Sequence, residues 1–150
     1  MDRTLKTAAL YIASLRAMGI IHTQSHWTTK GKPFYGDHLL FERIYKSSLE
    51  DLDLAAEKFV GLFGTNCLDY QLQTELLGKV LLKYKGLEGK PLEMSLAIEK
   101  DFLKLSQDAY NCFEDEDQLT LGLDDMVMAI ASNREGAVYL LQQALKDGNE

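Results

Sequence analysis

All three histidines of the chain, His22, His26 and His38, lie near its start, and carboxylates follow them at helical spacing. His38 and Glu42 are four residues apart, as are Asp53 and Glu57. Residues at i and i+4 share a helix face and can share a ligand. Imidazole nitrogens together with carboxylate oxygens suit iron, manganese or zinc. One chain cannot bring both pairs to one ion, because the fifteen residues from His38 to Asp53 span roughly 22 Å of helix. Their faces agree, however. At about 100° per residue, the eleven steps from Glu42 to Asp53 return to within about 20° of the same direction. Two copies of this helix packed antiparallel about a two-fold axis would bring the start of one to the end of the other. Isologous contact then makes two identical sites, each with His38 and Glu42 from one chain and Asp53 and Glu57 from its mate. The midpoint falls between Ser47 and Ser48, whose small side chains are expected to let the two backbones approach. His26, just before the turn into this helix, adds a second imidazole. The competing explanation for these five residues is an ordinary solvated or interface-paired helix face. A site inside a single bundle is disfavoured: intramolecular di-iron bundles use Glu-x-x-His on two helices, and that pattern is absent from this sequence.

The elements that must position these residues are long helices. The two prolines, Pro33 and Pro91, each follow a turn-like stretch and precede an apolar-periodic segment, as proline at a first helical turn should. Segment one runs from about residue 2 to 29, segment two from 34 to 63, segment three from 92 to 113 and segment four from 118 to 146. On segment two the apolar series is Leu40, Phe41, Ile44, Tyr45, Leu49, Leu52, Ala56, Phe59 and Val60; on segment four it is Leu123, Met126, Val127, Ile130, Val138, Leu141 and Leu145. Strict alternation is absent, so strands are not expected. Four amphipathic helices predict an all-α four-helix bundle. The link over residues 64–90 is long enough to cross the bundle, and it holds a shorter helical stretch over about 70–83. Residues 1–150 are read as one domain.

Net charge is −7, which suits attraction of cations and argues against nucleic-acid binding, whose affinity comes from Lys and Arg neutralising phosphates. The densest basic group, Lys79, Lys83 and Lys85, is diluted elsewhere, and the C-terminus from Lys146 to Glu150 is not basic. No apolar run approaches the ~20 residues of a membrane span, and the N-terminus shows no secretory signal, so a cytoplasmic protein is expected. Cys67 and Cys112 are read as free thiols of a reducing compartment, with no Cys-x-x-Cys or Cys-x-x-His spacing to suggest a metal site.

The run His26-Trp27-Thr28-Thr29-Lys30-Gly31, followed by Phe34, His38, Phe41-Glu42, Tyr45, Asp53 and Ala56-Glu57, resembles the signature of the Dps family of mini-ferritins. That resemblance is specific over about residues 20–60. It implies a ferritin-like subunit with a short extra helix in the link between helices two and three, a spherical dodecamer built from two-fold dimers, and a di-iron ferroxidase centre at the dimer interface with no organic cofactor. His26 and His38 match the family's two histidine ligands, and Asp53 and Glu57 its two carboxylates from the other subunit. Glu42 stands where the family most often has Asp, which lengthens the arm by one methylene. Trp27 matches the tryptophan beside the site, a candidate electron donor. The implied activity is oxidation of Fe(II), with hydrogen peroxide as oxidant, and storage of ferric mineral as protection against oxidative damage. A nucleoid-associated or purely structural shell with a vestigial iron site is the alternative. His22 matches no ligand and is expected to be structural or to lie at the surface. Tyr45 is expected in the core or an interface, and the Met126/Met128 region in helix packing. The acidic stretch Glu114-Asp115-Glu116-Asp117, with Asp124 and Asp125, is open to two readings: a solvated loop leading into a helix N-terminus, or, by the resemblance, a funnel for iron.

Overall fold

The computed structural model describes residues 1–147; residues 148–150, part of the non-basic C-terminus and of the expected single domain, lie outside the described residues. Five helices carry the chain: α1 (Arg3–Thr28), α2 (Phe34–Phe63), α3 (Tyr70–Leu82), α4 (Pro91–Asp115) and α5 (Leu121–Asp147). No strand occurs among the described residues. The Asp2 carboxylate caps α1 by accepting from Leu5 N–H at 2.8 Å, and Asp69 caps α3 through Leu72 N–H at 3.0 Å; each satisfies a backbone donor that the first turn leaves open. Pro91 sits in the first turn of α4. The last helix starts at Leu121 and not at residue 118, because Asp117 turns the chain through φ 57° and the Thr120 hydroxyl, 3.0 Å from Leu123 N, caps the helix there.

Helix α1 packs on α2 and α4, and α5 packs on those same two, so the four long helices form a ring with α3 laid against α1. Arg3, at the start of α1, pairs with Asp115 and Glu116 at the end of α4, which makes α1 and α4 antiparallel. Phe41 and Ile44, early in α2, cluster with Ala137 and Leu141 late in α5 and with Leu92 and Leu96 early in α4. Helices α2 and α4 therefore start at the same end, and the link carrying α3 runs the length of the bundle to reach it. Gln73 fastens that link: its amide donates to Ala9 O at 3.0 Å and to Cys67 O at 2.8 Å. An aromatic and aliphatic core, centred on Tyr11, Phe59, Phe102, Phe113 and Ile130, fills the middle. Helix α1 is long and apolar enough to cross a bilayer by length and composition, contrary to the expectation that nothing in the chain comes near this; much of it is buried inside the bundle.

The inner face of α2 differs from the expected apolar series. Leu49 is 54% exposed, while Ser48 is fully buried and Asp51 nearly so. Asp51 belongs to the interior because Arg134 of α5 is fully buried opposite it, and Ser48 because it donates to Tyr45 O and faces Gly19 of α1. Arg134 Nη1 donates to Asp51 Oδ2 at 2.9 Å, its Nη2 to Ser47 Oγ at 3.0 Å and its Nε to Glu99 Oε2 of α4 at 3.0 Å. His22 of α1 closes the group, with Nε2–H donating to Glu99 Oε1 at 2.8 Å and the Ser95 hydroxyl 2.9 Å from Nδ1. Ser47 and Ser48 thus serve this chain's own packing, where a Cβ on Gly19 would lie 3.7 Å from Ser48 Oγ. Ser48 is buried and Ser47 only partly so.

Candidate metal centre

Two short geometric facts set the histidine half-site. Helix α1 ends at Thr28 and α2 begins at Phe34, so the tight turn between them, with Gly31 at φ 90°, folds His26 back against His38. The two rings stack with centroids 3.7 Å apart and planes 17° from parallel. Each ring donates its Nδ1–H to the other residue's carbonyl: His26 Nδ1 to His38 O at 2.7 Å, and His38 Nδ1 to His26 O at 2.8 Å. A backbone carbonyl on Nδ1 fixes the tautomer and leaves Nε2 as the lone-pair donor. The stack is held on both sides, by Phe34 against His38 at 5.1 Å and by the edge of Tyr45 against His26 at 5.4 Å.

Glu42 lies in the electrostatic field of both imidazoles, but its carboxylate is engaged. Lys46 Nζ donates to Glu42 Oε1 at 2.7 Å. That ammonium, helped by the two histidines, holds the Glu42 carboxyl below the usual carboxylate range, and Glu42 in turn raises Lys46. Farther along α2, Asp53 and Glu57 are exposed on the same outward stripe, in line with the face arithmetic. Among the described residues of one chain, no group of three or more His, Cys, Asp or Glu side chains could hold a metal ion. The structure brings His26 and His38 into contact, leaves Glu42 within their electrostatic field but bonded to Lys46, and sets Asp53 and Glu57 farther along α2.

Trp27 is 70% exposed and lines a groove of about 440 Å³ between α1 and α2, with Ile20, Leu49 and Leu52. The aromatic ring packed on His26 is that of Tyr45, not Trp27. His22 is fully buried and bonded in the interior group, a structural histidine as expected; burial above all pushes its pKa down. Cys67 and Cys112 are free and buried. The acidic stretch divides: Asp115 and Glu116 pair with Arg3, and Asp124 stands in the first turn of α5. Met126 is buried and Met128 exposed. Residue-type reasoning missed Lys46 and the Arg134 group. The first was readable as an i, i+4 Glu–Lys pair, and the second as a charge at a core position, since Arg134 continues the Val127–Ile130 series toward Ala137 and Leu141.

No protein-family model matches the chain, and no curated protein matches it in sequence. Solved structures do match in shape. Dps from Thermosynechococcus elongatus superposes with a TM-score of 0.78 at 17% identity, over 96% of this chain and 90% of that one. A dodecameric thioferritin, the bacterioferritin-related protein from Bacteroides fragilis, gives 0.79 at 15% identity, over 98% and 88%. The chain has the fold of a Dps-type mini-ferritin. Dps from Microbacterium arborescens, in its high iron form, agrees at 0.73 and 16% identity, over 97% of each chain. In the Dps-type fold seen here, the His26–His38 pair and the exposed Asp53 and Glu57 lie outside the bundle core, while the interior holds the Arg134 guanidinium between Asp51 and Glu99.

Proposed function

We propose that the chain is the subunit of an iron-oxidising and iron-storing cage whose ferroxidase sites form between two-fold-related copies. The observation that carries this reading is the stacked His26–His38 pair, with both Nδ1 atoms tied to carbonyls and both Nε2 atoms left for a ligand. A structural histidine pair would not need two matched locks, whereas metal-binding imidazoles use such partners to set tautomer and direction. The fold shared with two Dps proteins and a dodecameric thioferritin supports the reading. So does the outer face of α2, where Leu39, Leu49 and Leu54 are exposed among the acids, the composition of a helix face that pairs with another copy.

Ferrous iron is the substrate. One ion binds His26 together with Asp53 and Glu57 of the partner subunit. Glu57 of the partner subunit reaches toward a second ion held by His38 and Glu42. Hard carboxylate oxygens favour the ferric product over the ferrous substrate. Hydrogen peroxide accepts one electron from each of two ferrous ions, its O–O bond breaks, and with two protons it leaves as two waters. Where only one ferrous ion is bound, Trp27, at the rim of the groove, is the candidate donor of the second electron that peroxide takes. The ferric ions move on to mineral inside a closed assembly, for which we propose a cytoplasmic dodecamer. The carboxylates Glu114 and Asp125, which face solvent, favour ingress of cations by their field, and the net charge of −7 gives no basis for DNA binding.

The test is Asp53→Asn combined with Glu57→Gln. Peroxide-driven ferrous oxidation should fall by on the order of 100-fold, since even outer-shell partners of a metal site cost 10–100-fold, while the assembly stays intact by light scattering. Unchanged kinetics in a correctly assembled protein would reject the site.

A further inference from the structure

We propose that Lys46 competes with the second iron for the Glu42 carboxylate, so that each site loads one ion readily and a second only by taking that carboxylate from the lysine. This rests on the inter-subunit site proposed above and assigns a role to a residue outside that ligand set.

Glu42 is already engaged within its own helix. Its carboxylate is the only acid from its own chain proposed for the His38 position, and Lys46 Nζ already occupies Oε1 at 2.7 Å. Glutamate followed four residues later by lysine is the favourable orientation for such a pair on a helix. The additional methylene of glutamate relative to aspartate gives the carboxylate the reach that this i, i+4 contact uses. The ammonium therefore neutralises the one negative charge that the second ion would use on this chain. Asp53 and Glu57 carry no such partner among the described residues. The charge available for the first ion, two uncompensated carboxylates facing His26, is thus larger than that available for the second.

The lysine is also displaceable. Its side chain is 61% exposed and can swing into solvent, and exposed ion pairs are weak individually. A divalent ion arriving at His38 exchanges with it, and the ammonium leaves as the ion takes Glu42 Oε1. The first ion never meets this competition, because its ligands lie on His26 and on the mate. The two positions differ in affinity because of the Glu42–Lys46 contact, independent of the oxidant used.

The experiment is an anaerobic calorimetric titration of the assembled protein with Co(II), whose visible spectrum reports ligand geometry, repeated with Fe(II). The wild type is compared with Lys46→Met and Lys46→Arg. The wild type should show one tight and one weak step per site. Lys46→Met should tighten the weak step by about two- to fivefold, the scale of one surface ion pair, and leave the tight step where it was. Lys46→Arg, which keeps the charge, should retain the weak step. Equal steps in the wild type, a weak step indifferent to Lys46→Met, or tightening by Lys46→Arg as large as by Lys46→Met would each overturn the role of Lys46 while leaving the shared site standing. Absence of any bound ion in all three proteins would remove the shared site itself, and the lysine's role with it.

Discussion

At the scale of single residues, the three histidines show how one side chain type is put to two uses by its surroundings. His26 and His38 are half-buried, with Nδ1 on a carbonyl and Nε2 open. His22, one turn before His26, is sealed between Ser95 and Glu99. Burial there disfavours the imidazolium more than Glu99 favours it, so the folded pKa lies below the ordinary 6.5. The sign of the consequence follows from proton counting. As pH falls below about 6.5 the unfolded chain gains a proton that the folded chain does not, so stability is lost on acidification, by at most about 1.4 kcal/mol per pH unit. Urea denaturation midpoints should therefore drop between about pH 7.5 and 5.5 in the wild type, and His22→Gln should flatten that part of the slope. An equal slope in the variant would place the titration elsewhere. Residue types and spacing made His26, His38, Glu42, Asp53 and Glu57 legible as a group, since helical phase is fixed by counting. The reciprocal locks were not legible: they need the turn at residues 29–33 to fold one backbone carbonyl onto the other ring.

At the scale of helices, the deciding feature is that each of the four long ones contributes a polar group to one buried cluster: His22 from α1, Asp51 from α2, Glu99 from α4 and Arg134 from α5. Arg134 holds two carboxylates and a hydroxyl with three different nitrogens, a use of its fork that lysine cannot copy. Removing it strands Asp51 and Glu99 in the core. Arg134→Met should cost roughly 3–5 kcal/mol of unfolding free energy, the cost of a buried pair broken on one side, and Arg134→Lys should recover only part of it in guanidinium titrations. A change within 1 kcal/mol for Arg134→Met would show that water or rearranged side chains satisfy those carboxylates. Helix lengths and the crossover were readable from periodicity, proline and link length. The cluster was not, because a charged residue at a core position looks like an error until its partners on three other helices are known. For the same reason Leu49 looked internal and Ser48 did not.

At the scale of the molecule, the groove between α1 and α2 and the leucine stripe of α2 are surfaces that the chain leaves uncovered. In the proposed assembly a second copy covers them and delivers Asp53 and Glu57 to the histidines. Leu49→Lys places a charge at the centre of that contact. A lone buried charge costs roughly 3–5 kcal/mol, so the assembly should dissociate by light scattering and ferrous oxidation should vanish with it, while far-UV circular dichroism keeps its helical form. An intact, active cage with Lys at position 49 would place the contact on another face. The sequence alone determined the helical class, the bounds of α2 to the residue, the crossover and the shared direction of the two ligand pairs, because these depend on local periodicity and on rise per residue. Only the tertiary structure decided which face of α2 is interior, that Glu42 is already held by Lys46, and that the bundle centre is filled by Arg134. The interior face and the Arg134 cluster depend on which side chains meet across helices far apart in sequence, which no spacing along one helix encodes; the Glu42–Lys46 contact has a readable i, i+4 spacing, but only the folded rotamers show that it is made.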